Sequence, residues 1–414
     1  MSGSAWIGRL LFATSALVAP ARRQAGLPCN GTAGLTLPPG FCAIVVADRL
    51  GAARHIAVAP NGDIYVALLS GGMHAGGMVA LRDTNRNGKA DLRQFIGKEG
   101  GSGIALGRGA LYFSTPSTVY RYVLHPGRLA PIGPPDVIVR DLPASGHSAR
   151  SLALSSDGNF LFVNVGSETN SCQQSDRAES SPGRDPCVEL ESRAGIWRFD
   201  ANKTNQTQAD AVRFATGIRN AVALAINPAD SLLYAVPHGR DQLGQNWPQF
   251  FTLAQSAEKP SEEMVEIDRD DDFGWPYCYH DPELGHLVLA PEYGGDGKQV
   301  GRCNTMKEPL LAFPAHWAPN GLLFYTGRQF PARYQGGAFI AFHGSWNRAP
   351  FPQEGFRVVF VPFANGKPAG AYETFADGFR PEHRPVGLAQ GPDGSLYVTD
   401  DEGGRIWRVM YKGR

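Results

Sequence analysis

Hydrophobic and polar positions alternate along this chain in short runs, and turn residues recur at the head of each run. The first phrase is Pro60-Asn61-Gly62-Asp63-Ile64-Tyr65-Val66 and the last is Pro392-Asp393-Gly394-Ser395-Leu396-Tyr397-Val398, with further copies over 107–113, 157–163, 228–234 and 320–325. Most copies are followed, after a variable insertion, by a second apolar run over 78–81, 119–122, 196–199, 264–267, 358–361 or 406–409, several with an outward charge such as Arg121, Arg198 or Arg408. A period of two within each run is the mark of a strand, and repetition on a scale of tens of residues is the mark of radial architecture. The pattern predicts an all-β chain, a six-bladed β-propeller of four-stranded antiparallel blades over 27–414. An orphan run, Phe41-Cys42-Ala43-Ile44-Val45-Val46, precedes the first full repeat and is expected to complete the last blade beside 405–409, closing the ring.

Composition sharpens this picture. Gly 50 and Pro 31 in 414 residues make about a fifth of the chain turn-formers, and 43% hydrophobic residues suffice for a packed core. Lys plus Arg and Asp plus Glu balance at 39 each, so no general attraction to nucleic acid or anionic membrane is expected, and any strong field must be local. Residues 1–26 hold an apolar stretch of signal-peptide length, too short to span a bilayer. The six cysteines fall in neighbouring pairs, Cys29 with Cys42, Cys172 with Cys187 and Cys278 with Cys303, which reads as local disulfides in an oxidising compartment. A secreted or periplasmic location follows.

The innermost strand of each blade should be the segment leading into each recurring turn, such as 56–59, 152–154 and 388–390. Residues just before those strands then ring the channel mouth: Arg54, His147, Arg150, Arg219, Asn220, His316 and Arg384. Cations crowd together unfavourably unless an anion lies among them, and arginine forks suit carboxylates. The stretches 165–192 and 236–262, polar and irregular, are expected as long loops on the same face. Separately, Asp83, Asn85, Asn87 and Asp91 place oxygen side chains at positions one, three, five and nine around Gly88, the spacing of a calcium loop. The twelfth position is Gln94 rather than Glu, so this is not an EF-hand, and an Asx-rich turn without metal is the alternative.

Five segments, His147-Ser148-Ala149-Arg150, Gly217-Ile218-Arg219-Asn220, His238-Gly239-Arg240-Asp241, Phe273-Gly274-Trp275-Pro276 and His343-Gly344-Ser345-Trp346-Asn347-Arg348, together resemble the pyrroloquinoline quinone (PQQ)-dependent sugar dehydrogenases. Within these the chain is most similar to the sorbosone and pyranose dehydrogenase branch, from about residue 40 to the C-terminus. The resemblance implies PQQ, a flat o-quinone with three carboxylates, held by Arg54, Arg150, Arg219, Asn220, His238, His343, Asn347, Arg348 and Arg384. It implies His147 as general base with a pKa near the working pH, and Ca2+ on the backbone carbonyls of Gly239 and Arg240. The Phe-Gly-Trp-Pro segment reads as structure, a turn with Trp275 packing a blade. The implied partners are a sugar substrate and an external electron acceptor such as a cytochrome. Two other readings stay open: a calcium-dependent lactonase, which needs carboxylates converging on one metal, and a non-catalytic propeller that binds carbohydrate or protein.

Overall fold

The structure, a computed structural model, describes residues 29–70 and 76–413; the apolar leader expected over 1–26 lies outside the described residues. Six blades of four antiparallel strands carry the repeat, and one of them gains a short fifth strand at its outer edge. Their innermost strands are Ala53–Val58, Gly103–Gly107, Leu152–Leu154, Ala223–Ile226, Pro319–Phe324 and Pro385–Gln390, and these neighbour one another around a central channel. Blades are numbered one to six in that order. The outermost strand of blade six is Phe41–Ala47, antiparallel to Arg405–Tyr411 with Phe41 opposite Tyr411, so the orphan run closes the ring as expected. Closure also drives Phe41 into an aromatic cluster, with ring centroids 4.8 Å from Phe330 and 5.1 Å from Phe375 of blade five.

The tyrosines of the recurring phrase have a physical role. They sit on second strands with their rings buried between blades, and their hydroxyls donate to the next blade: Tyr65 to the Leu129 carbonyl at 3.0 Å and Tyr112 to that of Ala201 at 3.1 Å. A buried phenol that finds a carbonyl keeps its apolar area in the core without leaving a polar atom unpaired. The outward charges of the third strands pair beside them, Arg121 with Asp136 at 2.8 Å and Arg408 with Asp393 at 2.7 Å.

One copy of the phrase is not what its sequence suggested. Asn320-Gly321 lies inside the inner strand of blade five, Pro319–Phe324, and the second strand is Ala338–Phe342. The glycine is there for close approach rather than for a turn, since a Cβ would overlap the Val386 carbonyl of blade six. Gly387 plays the same part at the next seam: a Cβ on it would lie 2.7 Å from the Arg54 carbonyl and 2.8 Å from His55 Cα.

Antiparallel pairing sets where chemistry can gather. The start of each inner strand lies opposite the end of the second strand, as in Ala53 with Leu68 and Pro385 with Asp400. Connections entering first strands therefore share one face with those leaving second strands. On that face lie the long loops after Val165 and Val236, the second containing short helices at Leu243–Asn246 and Leu253–Glu258. After blade four's third strand, Asp271–Asp272 runs parallel to the outer strand of blade three and carries the chain to the hairpin Cys278–Asp281 and His286–Leu289. The three disulfides are Cys29–Cys42, Cys172–Cys187 and Cys278–Cys303, the pairs read from spacing. Trp275 packs against the Cys172–Cys187 bridge and donates to the Asn170 carbonyl at 2.9 Å, so it orders the loop layer and not a blade.

Candidate active site

The centre of the loop face is an acid that the expected ring of arginines did not include. Asp241 Oδ2 accepts from Arg219 Nη2 at 2.7 Å and from Arg177 Nη2 at 2.8 Å, while Oδ1 accepts from the Asn347 amide. Burial opposes its ionisation, but the Arg219 and Arg177 guanidiniums override this and hold the carboxyl well below the usual carboxylate range. Arg219 is 5% exposed and spends its other N–H groups on the Gly239 carbonyl at 2.9 Å and on Asn170. Asn220, next in sequence, accepts from Asn164 Nδ2 at 3.0 Å. Asn347 also meets His316 Nδ1 at 3.3 Å, and its own Oδ1 is buried with no partner.

His147 stands beside this group, close enough to feel the charges of Arg219, Asp241 and His238. Its Nδ1 is 3.0 Å from both the carbonyl and the hydroxyl oxygen of Ser167. The Ser167 hydroxyl gives its proton to the Thr169 carbonyl at 2.7 Å, so both oxygens can only accept. The ring proton is thus on Nδ1, and Nε2 keeps a lone pair with no partner among the described residues. Burial, reinforced by Arg219, pulls this imidazole down to about 3. The expectation of a base near the working pH is corrected: the ring is neutral but weakly basic as it stands.

Beneath His147, two more imidazoles converge on blade five. His55 Nε2 donates to the Asn320 carbonyl at 2.8 Å, and His238 Nε2 lies 2.9 Å from Asn320 Oδ1 and 3.0 Å from the Pro319 carbonyl. Burial first, then Arg54 for His55 and Arg219 for His238, lowers both to about 4. These neutral rings tie blade four to its neighbour blade five, and blade one to blade five past blade six. Across from His147, Asp401 accepts from Arg54 Nη1 at 2.5 Å and from His343 Nε2 at 3.0 Å, with Arg54 Nε buried and unpartnered. Arg384 is held most loosely of the expected cations. It reaches Pro381 O at 3.2 Å, Gly344 O at 3.5 Å and Glu402 at 4.0 Å, and its side chain is 24% exposed.

The structure thus gathers His147, Arg219, Asn220, His238 and Asn347 on one side of the mouth and Arg54, His343 and Arg384 on the other. Arg150 and Arg348 do not join them. Arg150 is fully buried and gives its N–H groups to the carbonyls of Pro116, Pro143 and His147. Arg348 staples Ala257, Glu258 and Pro352 at 2.7, 2.6 and 3.0 Å. The expected crowding of cations is therefore relieved within the protein: Asp241 pairs with Arg219, Asp401 with Arg54 and Glu258 with Arg348, Arg150 meets carbonyls, and Arg384 is loosely held. The Gly239 carbonyl serves Arg219, and the Arg240 side chain turns away to Glu292 at 2.5 Å. In the Asp83–Asp91 loop, Asp83 accepts from the backbone N–H of Asn87 and Gly88, and Asp91 from that of Thr84.

Two buried acids beside the mouth were not anticipated from the sequence. Asp241 lies within a segment already singled out, but only as the residue after Gly239–Arg240. Glu262, 3% exposed, accepts from the Gly239 and Ala318 N–H groups at 2.8 and 3.0 Å, and burial pushes it up to about 7. Its signal was an acid opening a β-run, where an apolar residue is the norm.

A TrAA12-like family model matches residues 35–412. The chain belongs to the TrAA12-like family. An uncharacterized protein of Borreliella burgdorferi is 30% identical over 275 residues, which cover 64% of this chain and 61% of that protein. A PQQ-dependent pyranose dehydrogenase of Coprinopsis cinerea is 31% identical over 168 residues, 33% of this chain and 22% of that enzyme. The chain spans less than two thirds of the length of both relatives. Among solved structures, the holo PQQ domain of a Coprinopsis cinerea pyranose dehydrogenase has a TM-score of 0.75 at 20% identity, covering 93% of this chain and 100% of that one. The calcium structure of a Trichoderma reesei family AA12 carbohydrate-active enzyme scores 0.75 at 21% identity, covering 95% and 99%. At such identities the likeness is one of fold.

Proposed function

We propose that this TrAA12-like protein is an exported PQQ-dependent oxidoreductase acting on a sugar or related polyol, with His147 as the general base. The observation that carries the proposal is the unpartnered Nε2 lone pair of His147 at a mouth lined with guanidinium and amide donors. Those donors suit a flat tricarboxylate: Arg384 is partly exposed and loosely held, and Arg54 has an Nε with no partner among the described residues. Arg54, Arg219, Asn220, His238, His343, Asn347 and Arg384 would hold PQQ; Arg150 and Arg348 are left to shape the loops. When bound, the o-quinone supplies an electrophilic carbon that takes up a hydride from the substrate carbon bearing the hydroxyl. Ca2+ on the Arg240 carbonyl would add Lewis-acid polarisation, but it could share the Gly239 carbonyl only by displacing Arg219 from it; the Asp83–Asp91 loop is a second, structural calcium candidate.

His147 takes the substrate's hydroxyl proton on Nε2. The resulting imidazolium is supported through Nδ1–H by the Ser167 carbonyl and by the nearby Asp241 charge. Its low starting basicity comes from burial and from Arg219, and a polyanion held by Arg219 cancels part of that field. The two electrons leave to an external acceptor such as a cytochrome. The lactonase alternative needs carboxylates converging on one ion, whereas Asp241 is shared by two guanidiniums and an amide.

The test is dye reduction across a sugar panel after adding PQQ and Ca2+ to apoprotein. Wild type should turn over, and His147→Ala should lose about 10²–10⁴-fold in rate while still taking up PQQ. A correctly folded protein that takes up no PQQ rejects the proposal. Turnover unaffected in H147A rejects the base, and a wild type that takes up PQQ yet reduces no dye with any sugar favours a binding module.

A further inference from the structure

Beside the Arg219–Gly239 backbone lies a cavity of about 40 Å3 walled by Arg219, His238, Arg240, Glu263, Trp275 and Tyr279. Arg240 is 4% exposed there. Its Nη1 pairs with Glu292 at 2.5 Å, but Nε and Nη2 are buried without partners among the described residues. The Tyr279 hydroxyl, on a side chain also 4% exposed, is buried and unpartnered too, and it lies close enough to Arg240 to feel the guanidinium charge. Orphaned buried donors of this kind are uncommon and costly.

The chemistry of the orphans selects the guest. They are N–H and O–H groups; Glu292, paired with Arg240, is already shared with Trp247 Nε1 at 2.9 Å and Ser171 Oγ at 3.1 Å, and the charges of Asp281 and Asp296 also reach the Tyr279 hydroxyl. Burial pushes the Glu263 carboxyl up to about 8, which favours its uncharged form in the wall. A cation would face a guanidinium. A water would satisfy the donors but bring two hydrogens of its own in need of acceptors. An acceptor without hydrogens meets the need directly. One water takes roughly 10–15 Å3 of such space, so there is room for a halide or a triatomic anion.

We propose that this cavity is a binding site for a small monovalent inorganic anion of the chloride class, held by Arg240 Nε and Nη2 and the Tyr279 hydroxyl. The guest sits against the strand end that carries Gly239, so it fixes the loop from which Arg219 and Asp241 are presented. The inference stands independently of the redox reading, because it rests on orphaned donors rather than on the channel.

The experiment is a bromide soak of crystals, read by anomalous scattering, together with thermal melts of the metal-free protein in sodium chloride against sodium gluconate at equal ionic strength. An anomalous peak within hydrogen-bond reach of Arg240 Nη2 and a melting temperature that rises with chloride but not gluconate are expected. Tyr279→Phe keeps the shape of the wall and removes one donor, and it should raise the half-saturating chloride concentration about tenfold. Arg240→Gln should abolish the chloride response, and if that variant fails to fold the Tyr279→Phe comparison still decides. Crystals showing only water in the cavity, or chloride responses identical in wild type and Y279F, overturn the proposal.

Discussion

Replacing Asp241 by Asn tests the electrostatic centre of the site. Both carboxylate oxygens act as acceptors, Oδ2 for Arg219 and Arg177 and Oδ1 for Asn347. An amide can accept on one side only, so its NH2 must face either two guanidiniums or the Asn347 amide. The Arg219 side chain is 5% exposed and would keep its charge without a counter-ion. Breaking a buried pair from one side costs about 3–5 kcal/mol. Arg219 retains hydrogen bonds to Asn170 and Gly239, so the lower end, about 3 kcal/mol, is the working figure. With about 2.1 cal/mol/K per residue over roughly 380 residues, that lowers the melting temperature by about 4 °C. The sign with pH follows from the depressed carboxyl: its contribution is fully present above the unfolded value near 3.9 and is lost as pH falls through the folded value. Melts of wild type and D241N between pH 7 and pH 3 should differ by a constant amount down to about pH 4 and then converge. Equal stability at pH 7, or a gap that persists unchanged in acid, refutes the reasoning.

Three further outcomes are expected. His55, His147 and His238, lowered to about 4, 3 and 4, are neutral in the folded protein. Their contribution is complete above the unfolded value near 6.5 and is lost on acidification by up to ~1.4 kcal/mol per pH unit per ring. Glu262 and Glu263, raised to about 7 and 8, act with the opposite sign, contributing below their unfolded values and losing that contribution as pH rises through the folded ones. Urea midpoints of the metal-free protein should therefore peak near pH 6.5 and fall on both sides; a flat profile contradicts the assignment. Gly387→Ala forces a methyl against the Arg54 carbonyl and His55 Cα, at 2.7 and 2.8 Å, and should cost about 1–3 kcal/mol by urea titration. Removing the Cys172–Cys187 bridge, 15 residues apart, should cost about 3 kcal/mol and speed amide exchange around Asn170, whose carbonyl Trp275 holds against that bridge.

The fold was legible because a propeller writes its geometry as repetition. Turn, alternating strand and interblade tyrosine recur because each blade meets the same neighbour at the same angle. The fifth copy misled because Asn320-Gly321 has a turn's composition but serves close packing, a need set by Val386, 65 residues away in sequence. The positions of His147, Arg219 and Arg384 on one face followed from strand direction alone. Their partners did not. Asp241 and Asp401 meet Arg219 and Arg54 only through the folded ring, and a local pattern cannot show that an arginine before a strand turns inward to carbonyls, as Arg150 does. Nor could it show that burial would take His147 far below the basicity its side chain has in water.

The account turns on the channel mouth between His147 and Arg384 being the seat of a redox cofactor. Crystals of the protein grown with PQQ and Ca2+ test this most directly. The expected result is cofactor density at that mouth, within hydrogen-bond reach of Arg384 and beside His147 Nε2. Cofactor density elsewhere on the molecule, or an empty mouth at saturating PQQ, contradicts it.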